Sequence, residues 1–207
     1  MNEKLFIVPS LLNGVGPMNA AAKIMAKQMG TDDPDEVWRG INSGEYQIVK
    51  TTRVVLAGLL EEEGTIELPA HKRFVVRENF VENTDSAVPI SYLGDNLKAN
   101  FLDLVEENVP AMTAKRRKLL KALVDEPIVN ALGDTIDKIE KARMALAHVF
   151  DTLKTADRSK WYIFYVADKN ATVWAVNAYW RDVGWRVEAN SVRRPRRWIV
   201  GDCVVSR

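Results

Sequence analysis

Apolar and polar positions along this chain change rhythm twice. The first stretch is mixed. Lys4–Val8 predicts a short strand (4–8), and residues 9–17 a loop in which Gly14 and Gly16 stand two apart. Asn19 occupies the place a third glycine would need, so the pair reads as a turn and not as a dinucleotide loop. Ala22, Met25, Ala26 and Met29 fall on one face of a helix over 18–29, closed by Gly30. Asp32 or Asp33 can cap a second helix with Pro34 in its first turn and Trp38 and Ile41 inward. Strands are then expected at 45–50, 53–60, 65–68 and 72–81, punctuated by Gly44, Gly58, Gly64 and Pro69.

From Asp95 the spacing turns helical. Leu97, Phe101, Leu104 and Val105 mark one helix that stops before Pro110. A second is expected over 113–125, with Thr113 as cap and Leu119, Leu120 and Leu123 as its stripe. A third spans Ile128 to Lys154, where Leu132, Ile136, Ile139, Arg143, Leu146, Phe150 and Leu153 repeat as a heptad seam. Such a seam can join two copies, cover a sheet or pack on a neighbouring helix. Beyond Trp161 the period becomes two, cleanest over Val173–Ala178, and strands are expected at 161–167, 171–180, 184–190 and 198–205. Turns fall at 168–170, 181–183 and 193–197. The expected class is α+β: a mixed α/β portion over 1–92, then helices and a C-terminal antiparallel sheet over 93–207.

Composition narrows the chemistry. The 207 residues carry 29 Lys+Arg against 28 Asp+Glu, a net charge of +1, so whole-chain electrostatics give no reason to bind nucleic acid or a membrane. The single cysteine, Cys203, excludes an internal disulfide framework and a cysteine metal site. His71 and His148 have no ligand-spaced neighbours, and no phosphate loop, nucleophile elbow or carboxylate pair occurs. The expectation is a non-enzymatic protein without cofactor or metal. No apolar run is long enough to span a bilayer. Glu3, Pro9, Asn13 and Gly14 interrupt the weakly signal-like N-terminus, which makes a cytoplasmic protein the expectation. Lys115-Arg116-Arg117-Lys118 reads either as the solvated face of a helix or as a phosphate-contacting patch.

The C-terminal segment stands apart. Five of the six tryptophans lie beyond residue 160, and every basic residue after Lys169 is an arginine. Arginine beside tryptophan is the pairing favoured at binding hot spots. The order Trp174, Asn177, Trp180, Gly184-Trp185, Val187, Ala189-Asn190-Ser191-Val192, Pro195, Trp198, Gly201, Val204 and Ser206-Arg207 resembles the C-terminal segment of variable proteins from diversity-generating retroelements, found in viruses, bacteria and archaea.

That resemblance implies a C-type-lectin-like scaffold, a variable region over 174–207 and adenine-directed diversification of scattered positions. Tyr179, Arg181, Asp182, Val183, Arg186, Arg193, Arg194, Arg196, Arg197, Ile199 and Asp202 are residue types such mutagenesis can produce, as are Val200 and Cys203. Glu188 is not, and belongs to the scaffold. The first eleven are the expected ligand-binding set, clustered on one exposed surface, with Trp174, Trp185 and Trp198 packed beneath. On the opposing view Val183, Ile199 and Val200 are core and the arginines solvate a sheet edge. The implied partner is an unknown protein or other macromolecule. The alternative is a viral nucleic-acid-binding or host-interfering protein. The arginine-flanked turn at Pro195 makes a calcium-mediated sugar site doubtful.

Overall fold

A computed structural model describes residues 58–207, together with Lys4–Phe6, Tyr46–Ile48 and the single positions Asp33, Asp35 and Arg39. The expected elements at 9–17, 18–29 and 53–57, with Trp38 and Ile41, lie outside the described residues. The chain divides into two compact units, 1–57 and 58–207. In the first, β1 (Lys4–Phe6) pairs parallel with β2 (Tyr46–Ile48). Asp33 Oδ1 accepts the Asp35 amide at 2.9 Å, the capping bond expected where residues 35 and 39 are helical.

The second unit is α+β and is built on an eight-stranded, mostly antiparallel sheet. Its order is β3 (Leu60–Leu68), β7 (Met112–Leu119), β12 (Cys203–Ser206), β9 (Trp161–Ala167), β10 (Val173–Arg181), β11 (Gly184–Ser191) and β5 (Ile90–Leu93). The pairs β12–β9 and β11–β5 are parallel. β8 (Arg143–Met144) also pairs with β9, at Tyr165 and Val166, continuing the edge that β12 leaves at Phe164. β4 (His71–Val75) and β6 (Val105–Val109) form a separate antiparallel pair. Because β5 hydrogen-bonds to β11, the boundary expected at 92/93 falls inside this unit.

Strand alternation sends side chains to two cores. Tyr162, Phe164, Val166, Val176, Ala178, Trp185, Val187 and Val205 pack with α4 (Leu146–Thr155), α1 (Val76–Asn79) and α2 (Asp95–Phe101). Ile163, Tyr165, Ala175 and Val204 face the other way, onto α3 (Asp125–Ala131), Val192 and Trp198. Helix α4 has no side-chain cap of its own. Glu106 on β6 supplies one, accepting the Leu146 and Ala147 amides at 2.8 Å each. Burial raises the Glu106 pKa, and those two amide bonds oppose the shift.

Three expected helices need correction. The first ends at Phe101, and Val105 begins β6. The second, 113–125, is strand β7: its cations find carboxylates across the pairing with β3, Lys115 on Glu62 (3.0 Å) and Lys118 on Glu61 (2.6 Å). Arg117 donates to Ser206 Oγ (2.6 Å). These contacts occupy Lys115, Arg117 and Lys118 of the basic run. The third, 128–154, is two short helices. Gly133, at φ +84°, donates to Asn130 O while Asp134 donates to Val129 O, the paired bonds that end a helix at a left-handed residue. The heptad seam is therefore not one helix face.

The middle region shifts similarly. Residues 60–68 form one strand, and the strand expected over 72–81 stops at Val75, where α1 begins. The last strand begins at Cys203, and Trp198 makes only a two-residue bridge with Leu123.

Candidate binding surface

The second face of the sheet is covered at one end by α3 and by the 192–202 segment. Cover stops toward the β10–β11 turn, where side chains of one parity emerge half-exposed. Cross-strand register brings them into line: Tyr92 beside Arg186, Arg186 beside Tyr179, Tyr179 beside Trp161. The Arg186 guanidinium lies 4.4 Å from the centroid of the Tyr92 ring and 5.9 Å from that of Tyr179. Tyr179 and Trp161 are stacked, 3.9 Å apart and 3° from parallel. Arg196 then reaches over Trp161 (5.1 Å) and Trp198 (5.7 Å) from the loop. The result is a row of aromatic and guanidinium groups across four strands and the loop, each cation over at least one aromatic ring.

Glu188 pins this row from beside it. It accepts the Tyr179 hydroxyl at 3.2 Å and lies 3.5 Å from Arg196. Burial raises the Tyr179 pKa first and Glu188 adds to it, while Arg186 and Arg196 oppose the shift. At one end, Ser91, Tyr92, Arg181, Asp182, Val183 and Arg186 line an open cleft of about 250 Å³. At the other, Trp161, Arg196, Arg197, Ile199 and Asp202 line a smaller one, of about 70 Å³, with Trp198.

The side chains proposed for diversification divide cleanly, with two exceptions. Arg181, Asp182, Val183, Arg193, Arg194, Arg197 and Ile199 are exposed; Tyr179, Arg186 and Arg196 are half-exposed. Val183 is 63% accessible and Ile199 and Val200 each 61%, so the reading that placed these three in the core fails. Asp202, expected at the surface, is only 5% exposed. Its carboxylate accepts the Ile199 amide (2.9 Å) and closes the loop against β7; burial raises its pKa, opposed by that bond and by Arg196. Cys203 is likewise in the core, where burial pushes the thiol to about 11.

Beneath lies the aromatic frame. Trp185 and Trp198 are each 1% exposed. Trp174, expected to be packed beneath, is half-buried: it donates to Asp168 (3.0 Å) at the edge of the Phe101 ring. Trp161, half-buried, is part of the surface row. Comparison with family models, with curated proteins and with solved structures finds no match for this chain.

Two glycines of the C-terminal pattern have physical reasons. A Cβ on Gly184 would sit 2.8 Å from the Ser91 amide nitrogen and 3.1 Å from Pro89 O, where β5 crosses the start of β11. The Trp185 amide donates to that same Pro89 carbonyl at 2.7 Å. Gly184→Ala should therefore push β5 outward and cost about 1–3 kcal/mol, read from urea unfolding; an unchanged midpoint would mean β5 is not held there. Gly201 has open space around its Cβ position but φ +95°, which side chains resist.

Tyr92 and Trp161 are the members of this surface that the sequence did not disclose. Tyr92 sits in a four-residue strand between Pro89 and Gly94, a weak signal, and it reaches the site only through the parallel pairing with β11. Among the described residues no cluster of three or more potential ligands could hold a metal ion, and no helix is long and apolar enough to cross a membrane.

Proposed function

We propose that this chain is a non-enzymatic binding protein that presents a diversified surface to a protein or other macromolecular ligand, on a C-type-lectin-like scaffold. One observation carries the reading. Ten of the eleven residues proposed as variable have accessible side chains, while Trp185, Trp198 and Gly184 of the same 34-residue pattern are buried. Positions that accept many side chains must not be needed for packing. Exposed Val183 and Ile199 beside arginines suit a surface chosen for its ligand rather than for solubility.

The test is a comparison of close copies of the gene. Expected are a neighbouring reverse transcriptase, an adenine-rich near-duplicate of the 3′ coding segment, and substitutions concentrated at Tyr179 through Ile199 with Trp185 and Trp198 retained. Substitutions that fall on Trp185 and Trp198 as often as on Arg193 and Ile199, with no such duplicate, would refute the proposal.

The aromatic–guanidinium row favours a second reading, a stacking platform for single-stranded nucleic acid. On that reading, the affinity for a labelled oligothymidylate falls steeply with salt, because each phosphate contact releases counterions. Weak, salt-insensitive association would dismiss it.

A further inference from the structure

The described arginines of this surface differ in one respect. Arg181 has Asp182 at 3.8 Å, Arg193 has Asp137 at 3.3 Å, and Arg196 has Glu188 at 3.5 Å. Arg186, like Arg194 and Arg197, forms no ion pair or side-chain hydrogen bond with any described residue, and it differs from those two in that its Nε is shielded from solvent without an acceptor. The Tyr92 and Tyr179 rings hold its guanidinium in place at the cleft. A guanidinium fixed in one plane with unused donors is pre-organised for a two-pronged acceptor. Ser91, also in the lining, already donates its hydroxyl to Gly184 O at 3.2 Å, which leaves the arginines as the cleft's charged donors.

We infer that this cleft takes a carboxylate presented by an acidic segment of a protein partner. This names the ligand chemistry of the proposed binding surface and rests on that reading. Charge selects a carboxylate over a phosphate. Asp182 lines the cleft itself, and Asp95 and Glu188 line the neighbouring depression, so a doubly charged group meets repulsion that a single carboxylate tolerates better. Val183 on the rim offers an apolar contact to the residue next to the acid, which peptides provide and phosphate backbones do not.

The experiment uses the full chain labelled with ¹⁵N-arginine. The Arg186 Nε–H signal is assigned by its loss in Arg186→Gln. The probes are acetyl-Leu-Glu-Leu-amide, its Gln counterpart, inorganic phosphate and an oligothymidylate. The expected result is a saturable shift of the Arg186 signal with the Glu peptide. The Gln peptide should bind at least about tenfold more weakly, and calorimetric titration of Arg186→Lys should show weaker binding of the Glu peptide while the other arginine signals stay in place. Three outcomes overturn the inference: no saturable shift, equal response to the Gln peptide, or equal shifts at Arg194 and Arg197. So does tighter binding of phosphate or oligothymidylate, which would move the cleft to the nucleic-acid reading. Failure here with the gene-copy pattern intact removes only the carboxylate; loss of that pattern removes the diversified surface and leaves the titration standing.

Discussion

Trp198→Ala is expected to lower the unfolding free energy by about 4 kcal/mol, while Ile199→Ala beside it changes it by less than about 0.5 kcal/mol. The two residues share a loop but not an environment. Trp198 is packed among Ile163, Tyr165, Ala175 and Val204, donates its indole N–H to Asp125 at 2.8 Å, and ties its backbone to Leu123 through two hydrogen bonds. Removing the ring leaves a large cavity and also strands the acceptor. The Ile199 side chain projects into solvent; only its amide, bonded to Asp202, belongs to the frame, and alanine keeps that amide. Urea unfolding of the two variants measures the contrast. A cost near 2 kcal/mol for Ile199→Ala would show that the exposed set carries packing, which a variable surface cannot do.

The parts of this fold that were legible in the sequence are those where local pattern and tertiary demand agree. Strand β11 alternates strictly, and β9 and β10 are short apolar runs rich in aromatic and β-branched residues, all three bounded by sharp turns. Asp168 builds one of those turns, accepting the Asn170 and Thr172 amides, so the expected boundaries nearly match. Residues 113–119 were not legible because four consecutive cations have no period. What makes them a strand is Glu61, Glu62 and the neighbouring β12, all distant in sequence. The long heptad misled for a different reason: apolar spacing persists through Gly133, whose left-handed conformation ends the helix whatever side chains lie beyond it. The candidate surface was legible at its variable positions and not at its partners. Tyr92 and Trp161 join it through register alone. Asp202 was misplaced because residue type says nothing about which carboxylate closes a loop.

Asp125 sets the second large expected effect. It is buried at the start of α3, and its Oδ1 accepts both the Trp198 indole N–H and the Tyr165 hydroxyl (3.1 Å), tying the loop that carries Arg193–Ile199 to the sheet. Its Oδ2 has no partner among the described residues. Asp125→Ala leaves two buried donors without an acceptor and should cost about 3 kcal/mol. Combined with Trp198→Ala it should cost less than the sum, because the two share one interaction. Burial raises the Asp125 pKa to about 6, against the opposing hydrogen bonds from Trp198 and Tyr165. The folded value lies above the unfolded one, so the unfolded state releases the proton first. The stabilising contribution is complete at acid pH and is lost as pH rises through 6. Between pH 5 and pH 8 that loss is about 1.4 kcal/mol. Asp125→Asn keeps an acceptor for both donors and cannot ionise, so its unfolding free energy should lack this decline. His148, which burial holds below its usual pKa, contributes a slope of opposite sign in both proteins and cancels in the comparison. Parallel pH profiles for wild type and Asp125→Asn would mean that Asp125 is ionised throughout, with water reaching Oδ2. A profile that flattens only in the variant would identify Asp125 as the neutral acceptor on which the binding loop is mounted.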